Sequence, residues 1–254
     1  MNILKIRNLE LGNGIPAICI PNTGKTTEEI LSLTRKFTEL PMDIMEWRVD
    51  WFDEVDDISK VKNTLAEIRN ILGDTPLLCT FRTKKEGGVR ELNTSEYVTL
   101  NKSIAETGLA DLVDVEIFTG DETVSELIQS IHDYGCKVIA SNHDFFKTPD
   151  REDIISRLCK MQEMKADVLK IAVMPQSKKD VLTLLSATEE MVSQHAKVPV
   201  VTMSMADLGC ISRITGEFFG SCLTFGSGEA ASAPGQIPAS SLHNFLQAIH
   251  HSIP

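Results

Sequence analysis

The chain of 254 residues contains no CxxC pair, no HExxH helix, no GxxxxGK[ST] loop and no apolar run near the ~18 residues of a membrane span. Each absence removes a class. Without the phosphate-cradling loop, Asn22-Thr-Gly-Lys-Thr26 reads as an ordinary turn between a strand and a helix. The six cysteines, Cys19, Cys79, Cys136, Cys159, Cys210 and Cys222, stand singly among apolar or small neighbours. That pattern fits buried free thiols better than a disulfide framework or a zinc site. His132, His195, His243, His250 and His251 fall on expected helix surfaces or at the C-terminus, so no metal-ligand set is predicted. Basic residues are also scarce, 25 against 36 acidic, for a formal net charge of −11. That balance argues against nucleic acid or an anionic membrane as the main partner, and an anionic small substrate would need locally placed arginines. Met1 to Arg7 lacks a signal-peptide layout, so a cytoplasmic location is expected.

What is present is a sizeable apolar fraction, 42%, in a regular order. Compact β-branched runs at 17–21, 43–50, 76–82, 112–118, 137–145, 168–175, 198–205 and 222–227 predict eight strands. Helix-period segments are expected at 27–40, 58–72, 94–108, 125–134, 150–164, 178–195 and 239–250, with an Asn93-x-x-Glu96 start for the third. Residues 1–16, with an Asn13-Gly14 turn signal, would form a hairpin. Eight βα units in this length predict an α/β fold, the (β/α)8 or TIM barrel, with the hairpin closing its bottom. No linker composition interrupts the chain, so residues 1–254 read as a single barrel domain.

Lys170 is the residue that demands a reason, because it interrupts the apolar run Asp167-Val-Leu-Lys-Ile-Ala-Val-Met-Pro175. An unpaired ammonium inside a strand is far more costly than the strand can offset. The side chain therefore faces a polar cavity, has an anionic partner or is held neutral, unless it snorkels from the strand end to solvent. Period-two reading puts Met45, Trp47 and Val49 on one face of the second strand and Glu46, Arg48 and Asp50 on the other. The third strand sets Leu78, Thr80 and Arg82 against Leu77, Cys79 and Phe81; the fourth sets Asp114, Glu116 and Phe118 against Val113, Val115 and Ile117. The fifth aligns Ile139, Ser141 and His143, and the sixth aligns Val168, Lys170 and Ala172. If the apolar sets lie under helices, Glu46, Arg48, Arg82, Glu116, His143 and Lys170 converge near the C-terminal mouth, where barrel active sites form. The following loops add Glu86, Arg213, and Ser232 with Gln236 on a long stretch of small residues that could act as a lid.

A lysine amine in its neutral form attacks carbonyl carbon. Nearby Arg48, Arg82 or a charged His143 would favour that form, while Glu46, Glu86 and Glu116 would oppose it. Once a ketone is captured, the iminium acidifies the adjacent C–H, and His143 is the candidate base. Asp114, Glu116 or Glu86 could orient its imidazole.

These motifs, in order, are Glu46-Trp-Arg48-Val-Asp50, Arg82 with Glu86-Gly-Gly, Ser141-Asn-His143-Asp144-Phe, Leu169-Lys170-Ile-Ala, Met203-Ser-Met205 with Gly209 and Ser212-Arg213, and Ala231-Ser232-Ala-Pro-Gly-Gln236. Together they resemble type I 3-dehydroquinate dehydratase over residues 17–245. The resemblance implies a cofactor-free, metal-free hydro-lyase, commonly a homodimer, that converts 3-dehydroquinate to 3-dehydroshikimate and water. That step serves aromatic biosynthesis or quinate breakdown. It further implies a Schiff base on Lys170, His143 as general acid and base, and Glu86 orienting His143. Arg213 would hold the substrate carboxylate with Ser232 and Gln236, and Glu46, Arg48 and Arg82 would bind hydroxyls and the reacting region. Two alternatives remain from the residues alone. One is a Schiff-base aldolase acting on a sugar phosphate, weakened by the lack of a basic residue in the 226–238 loop; the other is a non-catalytic barrel that binds a polyol acid.

Overall fold

The computed structural model describes residues 3–229 and 232–253; Met1, Asn2 and the Ala231 of the last motif lie outside the described residues. Strands β1 (Leu4–Ile6) and β2 (Leu9–Leu11) form an antiparallel hairpin that turns at Arg7, whose φ of 53° is left-handed. Eight parallel strands follow: β3 (Ala17–Asn22), β4 (Ile44–Arg48), β5 (Leu77–Thr80), β6 (Leu112–Glu116), β7 (Lys137–Asp144), β8 (Val168–Val173), β9 (Val200–Ser204) and β10 (Leu223–Ser227). Strand β10 pairs with β3, and the seam between β9 and β10 is joined by a Val200–Ser221 bridge and a Cys222 N–H to Val200 oxygen bond of 2.9 Å. The ring is therefore closed, as a (β/α)8 barrel, with β11 (Ile237–Pro238) added in parallel to β10.

The helices are α1 (Thr27–Phe37), α2 (Ile58–Leu72), α3 (Thr94–Glu106), α4 (Asp121–Asp133), α5 (Arg151–Glu163), α6 (Lys178–Glu190), the single turn α7 (Gly216–Phe219) and α8 (Ala239–His250). Their starts follow capping chemistry: Thr26 and Asp57 cap α1 and α2, and Asn93/Glu96 and Ser177/Asp180 close reciprocal capping boxes on α3 and α6. Helix α4 begins at Asp121, one turn before the expected 125, because Asp121 and Glu122 suit the positive helix end although Gly120 supplies no side-chain cap. Helix α6 runs on through a π turn, Met191–His195, which matches the expected end at 195. No helix among the described residues is long and apolar enough to cross a membrane.

The two faces of each strand separate as the alternation predicts. Met45, Trp47, Leu77, Cys79, Val113, Val115, Val138, Ala140, Leu169 and Ile171 pack under the helices. Ile44, Leu78, Leu112, Ile139 and Val168 fill the lower lumen, and Ile6 and Leu11 of the hairpin seal it from below. Each such side chain, fully buried, contributes roughly 1.5–3 kcal/mol. Three aspartates immediately before alternate strands repeat one device at this end. Asp43 accepts from Ile18 N–H at 2.7 Å, Asp111 from Leu77 N–H at 2.8 Å and Asp167 from Val138 N–H at 2.9 Å. Each stitches its strand to the preceding one.

Strands β4 and β6 end earlier than expected because Val49–Trp51 and Ile117–Thr119 curl into 3-10 turns, and β5 and β8 also stop two residues short, at Thr80 and Val173. Asp50 thereby leaves the lumen alternation and folds back onto Arg48. All six cysteines are free, but Cys159 on α5 is only half-buried, and Cys210 is exposed because it rides on the irregular Asp207–Arg213 segment after β9.

Candidate active site

Asp43, Asp111 and Asp167 start β4, β6 and β8 in the same way, and three residues after each comes an inward charged side chain: Glu46, Asp114 and Lys170. Alternate barrel strands contribute to one layer of the interior, so these three meet. Lys170 is 3% exposed, with Nζ 3.6 Å from Asp114 Oδ2, 3.9 Å from Glu46 Oε1 and 4.3 Å from the centre of the Phe225 ring on β10. Of the sequence's competing expectations for this amine, the carboxylates are the contacts the structure supplies. Thr80 donates to Glu46 at 2.8 Å and holds it in place.

Arg82 is held at the cavity edge by a network of buried partners. Its Nη2 donates to Asp114 at 2.7 Å, and its Nη1 donates to Glu116 at 2.8 Å and to Ser141 Oγ at 3.0 Å. Burial opposes its charge, but Asp114, Glu116 and Glu86 outweigh that and hold the guanidinium firmly protonated. Burial likewise opposes ionisation of Asp114. Arg82, Lys170 and the Ser141 hydroxyl, donating at 2.6 Å, nonetheless keep it below the usual carboxylate range. Arg48 forms a two-pronged pair with Asp50, both contacts at 2.8 Å, and Asp50 also receives the Arg82 and Val89 N–H groups at 3.3 Å.

His143 ends the inward face of β7, with Nδ1 3.0 Å from Glu86 Oε2. Burial, and then the charges of Arg82, Lys170 and Arg48, push its imidazole well below the usual range, so it is neutral. Glu86 reaches it from a 3-10 turn, Lys84–Glu86, that ends at Gly87 with φ of 88°. A Cβ at Gly87 would strike the Phe145 ring and one at Gly88 the Arg82 carbonyl, so the Glu-Gly-Gly triplet is required by close approach. Burial raises Glu86 to about 7 against the pull of Arg82, 3.7 Å away.

Arg213 closes the site from the other side. It is 2% exposed, and among the described residues it donates only to carbonyls, Phe225 at 3.4 Å and Pro234 at 3.1 Å, while its Nε has no partner there. Burial lowers it to about 10. A guanidinium buried without a carboxylate among the described residues has N–H groups left for an anionic partner. Ser212 secures its segment, accepting from Ser204 N–H at 2.9 Å and donating to the Gly209 carbonyl at 2.7 Å. Ser232 and Gln236 bond to each other across the loop, Gln236 Nε2 to Ser232 Oγ at 2.9 Å.

Glu46, Arg48, Arg82, Glu86, His143, Lys170, Arg213, Ser232 and Gln236 all line one cavity of about 140 Å³. Cavities of ~150 Å³ accept a six-membered ring. Gly87, Phe145, Ala172, Met203, Met205 and Phe225 supply its apolar wall. Alternation and motif order assign no role to Asp50, Ser141, Asn142 or Phe225, whereas the repeated aspartate three residues before Glu46, Asp114 and Lys170 is a sequence signal that marks the central layer. The described residues contain no cluster of three or more His, Cys, Asp or Glu side chains arranged to hold a metal.

A closed barrel with a buried primary amine, a neutral imidazole on a carboxylate and an uncompensated guanidinium around one small cavity has the parts of an enzyme that works on the carbonyl group of an anionic molecule. The chain belongs to the type I 3-dehydroquinase family, whose model it matches over residues 18–253. It is 52% identical over 251 residues to the 3-dehydroquinate dehydratase of Clostridium botulinum, covering 99% of each chain. A crystal structure of the type I enzyme from Clostridium difficile, with covalently modified comenic acid, superposes with a TM-score of 0.97 at 49% identity and 99% coverage of both chains. The 3-dehydroquinate dehydratase of Geobacillus kaustophilus superposes at 0.96 with 35% identity, covering 100% of this chain and 98% of that one. A 3-hexulose-6-phosphate synthase, at 17% identity and a TM-score of 0.60, shares the fold alone.

Proposed function

We propose the following roles for the cavity residues in the conversion of 3-dehydroquinate to 3-dehydroshikimate and water, the reaction of the type I hydro-lyases. Lys170, in its neutral form, adds to the C3 ketone, and loss of water from the adduct leaves a cationic imine. Asp114 and Glu46, at 3.6 and 3.9 Å from the amine, are the counter-charges for that cation. His143 Nε2 takes a proton from C2, the electron pair moves toward the imine nitrogen as an enamine, and its return expels the C1 hydroxyl, which leaves as water with the proton from His143. Hydrolysis of the product imine releases Lys170.

Arg213 holds the substrate carboxylate, with Ser232 and Gln236 exchanging their mutual bonds for bonds to the ligand. Glu46 and the guanidinium edges of Arg48 and Arg82 border the ring hydroxyls and the reacting carbons. Glu86 orients His143. The observation that carries this reading is a nearly inaccessible amine at the floor of a cavity that also holds a neutral histidine and an unpaired buried arginine. The same reading takes the chain as a cytoplasmic homodimer, on the family resemblance alone; sedimentation of the purified chain tests the assembly.

The decisive experiment mixes the chain with 3-dehydroquinate and borohydride and maps the adduct by mass spectrometry. A reduced adduct on Lys170 is expected, with adduct and turnover both absent in Lys170→Ala. Turnover persisting in that variant, or an adduct elsewhere, overturns the assignment.

A further inference from the structure

Behind the Glu86–His143 pair lies a chain of hydrogen bonds that none of the roles above uses. We propose that Asn142 and Arg157 are positioning residues for proton transfer at His143, acting through Glu86; this rests on His143 being the base. The chain starts on helix α5. Arg157 Nη1 donates to Asn142 Oδ1 at 3.0 Å, Asn142 Nδ2 donates to Glu86 Oε1 at 3.2 Å, and Glu86 Oε2 meets His143 Nδ1 at 3.0 Å. Asn142 is 6% exposed.

A guanidinium has donors only, so the Asn142 amide can face it in one orientation, and the opposite end of the amide must then be a donor. Glu86 Oε1 is thereby obliged to accept. Its other oxygen already accepts from the His143 main-chain N–H at 2.9 Å. A proton on Oε1 would confront an N–H, and N–H bonds donated to both oxygens favour the charged form, so the arrangement favours the carboxylate, and a carboxylate at Oε2 requires hydrogen on Nδ1. The lone pair of the imidazole then sits on Nε2, the form a base needs. A neutral Glu86 could instead donate to Nδ1, which would put the hydrogen on Nε2 and abolish its basicity.

The balance is close enough for one bond to matter. Arg82 just after β5, Asp114 and Glu116 of β6, and His143 and Asn142 of β7 surround Glu86. Burial and the two carboxylates raise it to about 7, while Arg82 and Asn142 pull the other way. Arg157 itself is held by Asp153 one helical turn earlier, at 3.1 and 2.8 Å, with Asp144 3.9 Å away and its Cζ 5.8 Å from the centre of the Phe118 ring. It is thus fixed from the helix side, not by the ligand.

The test compares Asn142→Ala, Asn142→Asp, Arg157→Met and Arg157→Lys with the parent chain in three readouts: borohydride trapping at Lys170, the pH profile of kcat, and the isotope effect from deuterium at C2 of 3-dehydroquinate. Trapping should match the parent in every variant. In Asn142→Ala and Arg157→Met, kcat at neutral pH should fall about tenfold, with a larger isotope effect. The acid limb of the profile should move to higher pH as Glu86 protonates more readily, and furthest in Asn142→Asp, which faces Glu86 with a second carboxylate. Arg157→Lys should restore most of kcat. Unchanged profiles in Asn142→Ala and Asn142→Asp, or trapping lost in step with kcat, overturn the proposal. Absence of trapping in the parent chain instead overturns the Lys170 assignment.

Discussion

The lower and upper halves of the lumen are built from the same strands, two residues apart, yet have opposite chemistry. Below, Ile44, Leu78, Leu112, Ile139 and Val168 fill the space with hydrocarbon. Above, Glu46, Thr80, Asp114, Ser141 and Lys170 fill it with groups that must each find a partner. The lower half stabilises by exclusion of water and tolerates approximate shape. The upper half contributes little net stability, since desolvation of its charges offsets most of their attraction, but each member fixes the next in direction. The difference teaches that this barrel keeps its stability and its chemistry in separate layers.

Substitutions can break that separation or sharpen it. The largest effect is expected from Asp114→Ala, which strands Arg82, Lys170 and Ser141 without their shared acceptor. Urea unfolding should show a loss of about 3–5 kcal/mol, together with loss of turnover. Ile139→Ala, one layer below, should cost about 2–4 kcal/mol by leaving a cavity. Its kcat/KM per folded molecule should stay within about twofold of the parent, and a larger fall would show that the layers are not independent. Arg213→Gln should raise KM about 100-fold, or ~2.7 kcal/mol, while the ligand-free chain becomes more stable in urea because an unpaired buried charge is gone.

The smallest effect concerns pH. His143 is held neutral in the fold, so its contribution is complete above the ordinary histidine value of about 6.5 and is lost as pH falls below it, where the unfolded chain takes up the proton and the folded one does not. His143→Ala should therefore compare better with the parent at pH 5.5 than at pH 7.5, by about 1 kcal/mol in urea unfolding. An equal difference at both pH values would show that the imidazole titrates normally.

Alternation made much of this legible from the sequence, because a parallel strand between helix and lumen shows its period directly in residues such as Trp47 against Glu46 and Arg48. Lys170 was conspicuous for the same reason. What stayed hidden follows from where periodicity stops. The 3-10 turns at Val49–Trp51 and Ile117–Thr119 break the alternation, so Asp50 could not be seen clamping Arg48. The start of α4 was missed because Gly120 offers no capping side chain to read. Arg157 looks like any helix-surface arginine, and only the fold carries it to Asn142, fifteen positions earlier in the chain.

The N-terminal hairpin has one further effect. With Ile6 and Leu11 corking the far end, the lumen is a blind well, and whatever goes in must come out by the same doorway. A molecule still waiting to depart blocks the next arrival, so accumulated 3-dehydroshikimate should slow the enzyme as a simple rival of its own precursor.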